Sequence, residues 1–144
     1  MKIIDFNTTL NLLKKGEAVI IPTETVYGLA ADATNQSACQ QIYHIKGRPN
    51  DNPLILHFFD IDHIKKYAHV NPWVETVFQL WPGPLTLILP RKKSAKLATC
   101  TYANLDTIGV RIPAHPGTLR LIKQLNRPLA APSANKSGRI SPTE

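Results

Sequence analysis

Cysteine is scarce in this chain, acidic side chains are outnumbered, and no long apolar run occurs. Each shortage removes a class of function. The two cysteines, Cys39 and Cys100, stand far apart and fit neither a metal-ligand nor a redox spacing. They support no disulfide framework, so a reduced, cytoplasmic setting is the default. Apolar stretches are only a few residues long, so nothing spans a bilayer. Met1-Lys2-Ile3-Ile4-Asp5 lacks the apolar core and small-residue cleavage site of a secretory signal. No Gly-Lys-Ser/Thr follows a glycine-rich loop, which removes the Walker phosphate loop. No aromatic pair is placed for base stacking, and no His/Asp/Glu cluster has metal-ligand spacing.

What is present is an ordinary globular balance. The 144 residues are 43% hydrophobic and 19% charged, enough for one domain that buries roughly two-thirds of its unfolded surface. Seventeen Lys and Arg against ten Asp and Glu leave a formal charge of +7. That excess suits polyanions such as RNA, nucleotides or phosphorylated metabolites, and it also serves plain solubility. The short cluster Arg91-Lys92-Lys93 with Lys96 reads as a solvated loop.

Helix and strand signals alternate along the chain. Asn7 or Thr8 caps a helix through Leu10, Leu12 and Leu13 that stops before Gly16. Ala18 to Ile21 is a buried strand cut off by Pro22, and Thr23 to Gly28 is a polar loop. Asn35 caps a helix through Ala38, Cys39, Ile42, Tyr43 and Lys46, ended by Gly47 and Pro49. Leu54 to Phe59 is the second strand. Asp60 or Asp62 starts a short helix, and Pro72 opens another through Val74, Val77, Phe78 and Leu80. Trp81-Pro82-Gly83-Pro84 turns the chain into a strand over Leu85 to Leu89. Arg91 to Asn104 reads as a mobile loop, with Cys100 an idle thiol in it and Cys39 in the core. A fourth strand covers Thr107 to Ile112, a helix Pro116 to Leu125, and a short fifth strand Pro128 to Ala131. This alternation is that of an α/β domain in which a parallel and a mixed sheet remain equally open.

Two polar stretches carry the chemical interest. Lys46-Gly47-Arg48 offers two cations around a glycine, and Ser133-Ala134-Asn135 offers a hydroxyl and an amide. If the fold joins them, they make an anion-binding cleft without a covalent nucleophile. Each has a plain structural explanation as well. Basic residues at a helix end complement its carbonyl terminus, and Pro, Ser and Asn make turns in any protein. Thr23, Glu24 and Thr25 read as turn residues, and His57 as a lone core histidine. Arg111 is different, because an arginine inside an apolar strand needs a carboxylate or phosphate for its charge.

Six strings in order resemble the YrdC/Sua5 family: Pro22-Thr23-Glu24-Thr25-Val26-Tyr27-Gly28-Leu29, Lys46-Gly47-Arg48-Pro49, Asn52-Pro53-Leu54-Ile55, Trp81-Pro82-Gly83-Pro84-Leu85-Thr86, Gly109-Val110-Arg111-Ile112-Pro113 and Pro132-Ser133-Ala134-Asn135-Lys136-Ser137-Gly138. The resemblance implies an α/β fold, a twisted mixed sheet flanked by helices in a single domain over residues 1–144. That domain is expected to lack the family's C-terminal part, since the sequence stops at Glu144. It implies a nucleotidyltransferase making L-threonylcarbamoyladenylate and pyrophosphate from L-threonine, bicarbonate or CO2, and ATP. The product serves threonylcarbamoyladenosine (t6A) formation at position 37 of tRNAs reading codons that start with A. Lys46, Arg48, Ser133 and Asn135 match the catalytic set around the phosphates. Arg48, Asn52, Thr107, Ser133 and Ser141 match ATP contacts, and Thr25, His57, Arg111 and Ala131 match threonine contacts. Mg2+ is implied through the phosphates, with no metal site of the protein's own. Further implications are t6A transferase proteins downstream, a monomer, and contact with tRNA or double-stranded RNA. The alternatives are an RNA-binding module of the same fold, or a paralogue forming a different carbamoyl adenylate.

Overall fold

Side chains that start a helix are well placed in this sequence. In the computed structural model, which describes residues 5–22, 27–47 and 53–132, four of them sit in extended backbone and accept from an N–H three residues on. Asp5 accepts from Thr8 at 2.9 Å, Asn35 from Ala38 at 3.0 Å, Asp60 from His63 at 2.8 Å and Asn71 from Val74 at 2.9 Å. They open α1 (Phe6–Lys14), α2 (Gln36–Lys46), α3 (Ile61–Lys65) and α4 (Pro72–Glu75). The first cap is therefore Asp5 and not Asn7 or Thr8, whose hydroxyl itself donates to the Asp5 carboxylate. His115 caps α5 (Pro116–Leu125), its Nδ1 accepting from the Gly117 and Thr118 N–H groups. Gly47 ends α2 in the left-handed conformation, at φ 63°.

The helix expected from Pro72 to Leu80 is broken. Thr76 and Val77 bond back only three residues, and the Thr76 hydroxyl takes the Trp73 carbonyl at 2.7 Å. A separate 3-10 turn then covers Phe78–Leu80.

Six strands form one sheet, where the sequence gives signals for five. They are β1 (Val19–Pro22), β2 (Tyr27–Asp32), β3 (Ile55–His57), β4 (Leu87–Pro90), β5 (Thr107–Arg111) and β6 (Leu129–Ala131), in the order β1-β2-β6-β3-β5-β4. Among the described strands only β3 and β5 run parallel, so the sheet is mixed. The unexpected strand is β2, whose Gly28, Ala30 and Ala31 have weak strand preference. It forms because it pairs on both sides and buries both alanines completely.

The segment after β4 is pinned rather than mobile. Arg91 and Lys92 donate their N–H groups to Asp106 and Tyr67, and Ala98 donates to Ala33 at 2.8 Å. A 3-10 turn at Thr99–Thr101 lies along α2, where Gln36 accepts from the Thr99 N–H and the Tyr43 hydroxyl donates to the Cys100 carbonyl at 2.6 Å. Cys100 is consequently buried against Cys39 and is no loop thiol.

The two sheet faces are covered unequally. Leu56, Val110, Ile108, Ala130 and Leu89 pack on one face against α2, α3 and the pinned segment. On the other, α1 and α5 cover only the β1, β2 and β6 end, through Leu10, Leu13, Leu121, Ile122 and Leu125 against Val19, Ile21, Leu129 and Ala131. Over β3, β5 and β4 no helix among the described residues covers that second face, the open face of the sheet. Ile88 is 66% exposed there. No helix among the described residues is long and apolar enough to cross a membrane.

His63 in α3 is buried, stacked on Phe59 at 4.3 Å, and its Nδ1 accepts from the Phe59 N–H. Burial lowers its pKa to about 4, against a smaller upward pull from Asp60. An unfolded histidine takes a proton below about 6.5, and the folded one refuses it until near 4. Stability is full above that window and falls as pH drops through it. The unfolding free energy of wild type is expected to lose roughly 3 kcal/mol relative to His63→Leu between pH 7 and 4. Parallel urea titrations of both proteins across that range check it, and a constant difference would refute it.

Candidate active site

Strand register decides which functional side chains share the open face. Paired residues point to the same side, and alternate residues along a strand do too. β3 pairs His57 with Arg111 and Ile55 with Gly109 on one flank, and His57 with Leu129 and Ile55 with Ala131 on the other. His57, Arg111, Gly109, Thr107 and Ala131 therefore lie on one face. Arg111, Gly109 and Thr107 are half-buried, while His57 and Ala131 are only 3% exposed.

Arg111 is the electrostatic feature of this face. Its Nη2 donates to the Pro84 carbonyl at 2.7 Å. Its Nε is buried and has no hydrogen-bond partner among the described residues. A guanidinium half used in this way presents free donors to a carboxylate or phosphate. The anchoring carbonyl belongs to a braced turn, in which Gly83 donates to the Ile112 carbonyl at 2.9 Å and the Trp81 indole to the Leu85 carbonyl at 2.7 Å. Sequence reasoning recognised the turn and missed its role as the guanidinium's anchor.

The other expected residues divide in two. Lys46 is the last residue of α2, half-buried, and Thr107 begins β5 opposite Pro90. Thr107 thus stands four residues, about 13 Å, from Arg111 along the same strand. Thr25, Arg48, Asn52, Ser133, Asn135 and Ser141 lie outside the described residues.

Among the described residues no protein nucleophile emerges near this face. The Cys39 thiol is pushed up by its hydrogen bond with Cys100 and by burial, so it is no thiolate. No group of three or more His, Cys, Asp or Glu among the described residues could hold a metal ion. Asp32 and Arg127 make an ion pair at 2.6 Å and neutralise each other. Beyond the ends of β3 and β5 opens a cavity of about 200 Å³, lined mainly by Phe59, Phe78, Trp81, Ile112 and Leu119. Its described lining includes none of the expected site residues.

A mixed sheet with helices on one face and half of the other, and an arginine–histidine pair on the remainder, defines an α/β domain. The family model Sua5_yciO_yrdC, described as "Telomere recombination", matches residues 11–144, and the chain belongs to that family. It is 49% identical over 135 residues to the threonylcarbamoyl-AMP synthase of Bacillus subtilis, covering 92% of this chain and 39% of that protein. The solved structure of Pyrococcus abyssi Sua5 complexed with L-threonine superposes with a TM-score of 0.85 at 43% identity, over 96% of this chain and 41% of that one. A full-length HypF in its phosphate- and nucleotide-bound form gives a TM-score of 0.81 at 26% identity, covering 96% of this chain and 22% of that chain. The chain spans about two-fifths of the length of the curated relatives it first matches.

A buried Nε with no partner among the described residues is a standing cost to the fold. Arg111→Met is therefore expected to leave the unfolding free energy unchanged or raise it by about 1 kcal/mol, read from urea midpoints. A loss beyond about 2 kcal/mol would show instead that the guanidinium holds the fold together.

Proposed function

We propose that this protein joins L-threonine, bicarbonate or CO2, and ATP into L-threonylcarbamoyladenylate with release of pyrophosphate. The observation that carries this is Arg111, half-buried beside His57 on the open face with its Nε left for a ligand. Family membership and the relatives named threonylcarbamoyl-AMP synthase support it. Identity to these synthases is 46–49%, against 26% to HypF, which favours threonine over another acyl donor.

In this proposal Arg111 grips the threonine carboxylate through a forked pair, with Thr25, His57 and Ala131 around the rest of the amino acid. The amine adds to CO2, forming a C–N bond and losing a proton, to give a carbamate. A carbamate oxygen then bonds to the α-phosphorus while the bond to the bridging oxygen breaks. That oxygen leaves on pyrophosphate with the electron pair. Two anions must meet, and Lys46 and Arg48, with Ser133 and Asn135, offset their repulsion and follow the charge onto pyrophosphate. Asn52, Thr107 and Ser141 complete the ATP contacts. Mg2+ fits as a companion of the phosphates, held by their oxygens and water, since the described residues offer it no carboxylate cluster. The adenylate would pass to transferase proteins acting on adenosine 37 of tRNAs that read codons beginning with A.

Pyrophosphate release that requires both ATP and L-threonine is the expected activity of the wild type. Lys46→Ala and Arg48→Ala are each expected to lose roughly 100-fold in rate, and Arg111→Ala to lose L-threonine binding by calorimetry. Wild-type rates in both lysine and arginine variants would refute the phosphate assignment.

A further inference from the structure

Gly109 sits in the middle of β5, paired with Ile55 on one side and Ile88 on the other. Nothing among the described residues calls for a glycine there. Its backbone is not in the left-handed region that side chains avoid. A Cβ built on it would lie 3.5 Å from Ile88 Cδ1 and 3.7 Å from Thr86 Cγ2, which is ordinary van der Waals contact. No helix among the described residues covers the position, and Ile88 beside it is largely exposed. Glycine inside a strand loses chain entropy and packs nothing, so this strand forgoes stability that alanine would add. A strand glycine without a backbone reason marks the close approach of something else.

Position says what approaches. On the open face Gly109 lies between Thr107 and Arg111, two residues from each. The following step rests on the proposed synthase reading, in which Arg111 holds the amino-acid carboxylate and Thr107 contacts the nucleotide. A molecule held at both ends must cross the strand at the residue between them. We infer that the carbamate–α-phosphate junction forms over Gly109, and that this residue positions the reacting ends by leaving bare backbone for them to lie against. Side chains at 109 would lift the junction off the sheet and misalign the attacking oxygen, without disturbing either end.

The test uses the full chain with Gly109→Ala and Gly109→Val. Three readouts are taken: the thermal midpoint, L-threonine binding by calorimetry, and the kcat and KM for ATP-dependent pyrophosphate release. Midpoints equal to or above wild type are expected, with threonine affinity within about threefold. The kcat should fall by roughly 10-fold in the alanine variant and roughly 100-fold in the valine variant, with KM for threonine little changed. A purely structural glycine would lower the midpoint and threonine affinity together, and that result overturns the inference. An active wild type with equally active, stable variants overturns the placement alone. A wild type that releases no pyrophosphate overturns the synthase reading, and this placement with it.

Discussion

The parallel pairing of β3 with β5 is the constraint on which the site depends. Leu56, Val110 and Ile108 are essentially excluded from solvent on one side of these strands, and their burial leaves one register available. A slip of one residue would drive Arg111 into that apolar layer and bring Val110 out to the open face. The Phe58 N–H extends the pairing to the Arg111 carbonyl at 2.8 Å, just past the functional pair. Hydrophobic burial on the back of the sheet thus aims the polar groups on its front.

Charge is handled differently at two places in the same sheet. Asp32, at the end of β2, meets Arg127 directly, and the pair is complete within the protein. Arg111 has only a neutral carbonyl, and its second donor edge has no described protein partner. The first arrangement ties the start of β6 to β2. The second leaves a buried donor that no described residue satisfies. In the proposed reaction, the binding energy of a substrate anion held at Arg111 would be available for orientation.

The elements that were legible in the sequence are those fixed by local chemistry. Asn35 and Gly47 bound α2, Asp60 starts α3, and Pro116 and Leu125 delimit α5 as the pattern indicated. β2 was not legible, because alanine and glycine join a strand only when partners on both sides supply the hydrogen bonds. The fastening of residues 91–104 was equally hidden, since its bonds run to Ala33, Gln36, Tyr43 and Tyr67, far away in the chain. Of the site, Arg111 stood out as a charge within an apolar strand, while His57 looked like an ordinary core residue. Only the register, a property of two strands together, sets them side by side.

The braced turn at Trp81 to Pro84 has a reach beyond its own surroundings. Pro82 and Pro84 restrict its backbone, and its bonds to Ile112 and within the turn leave the Pro84 oxygen little freedom. That oxygen sets the direction of a guanidinium lying 27 residues further along the chain. A change confined to this turn can therefore be felt on a distant strand, by re-aiming a guanidinium to which the turn is joined by a single hydrogen bond.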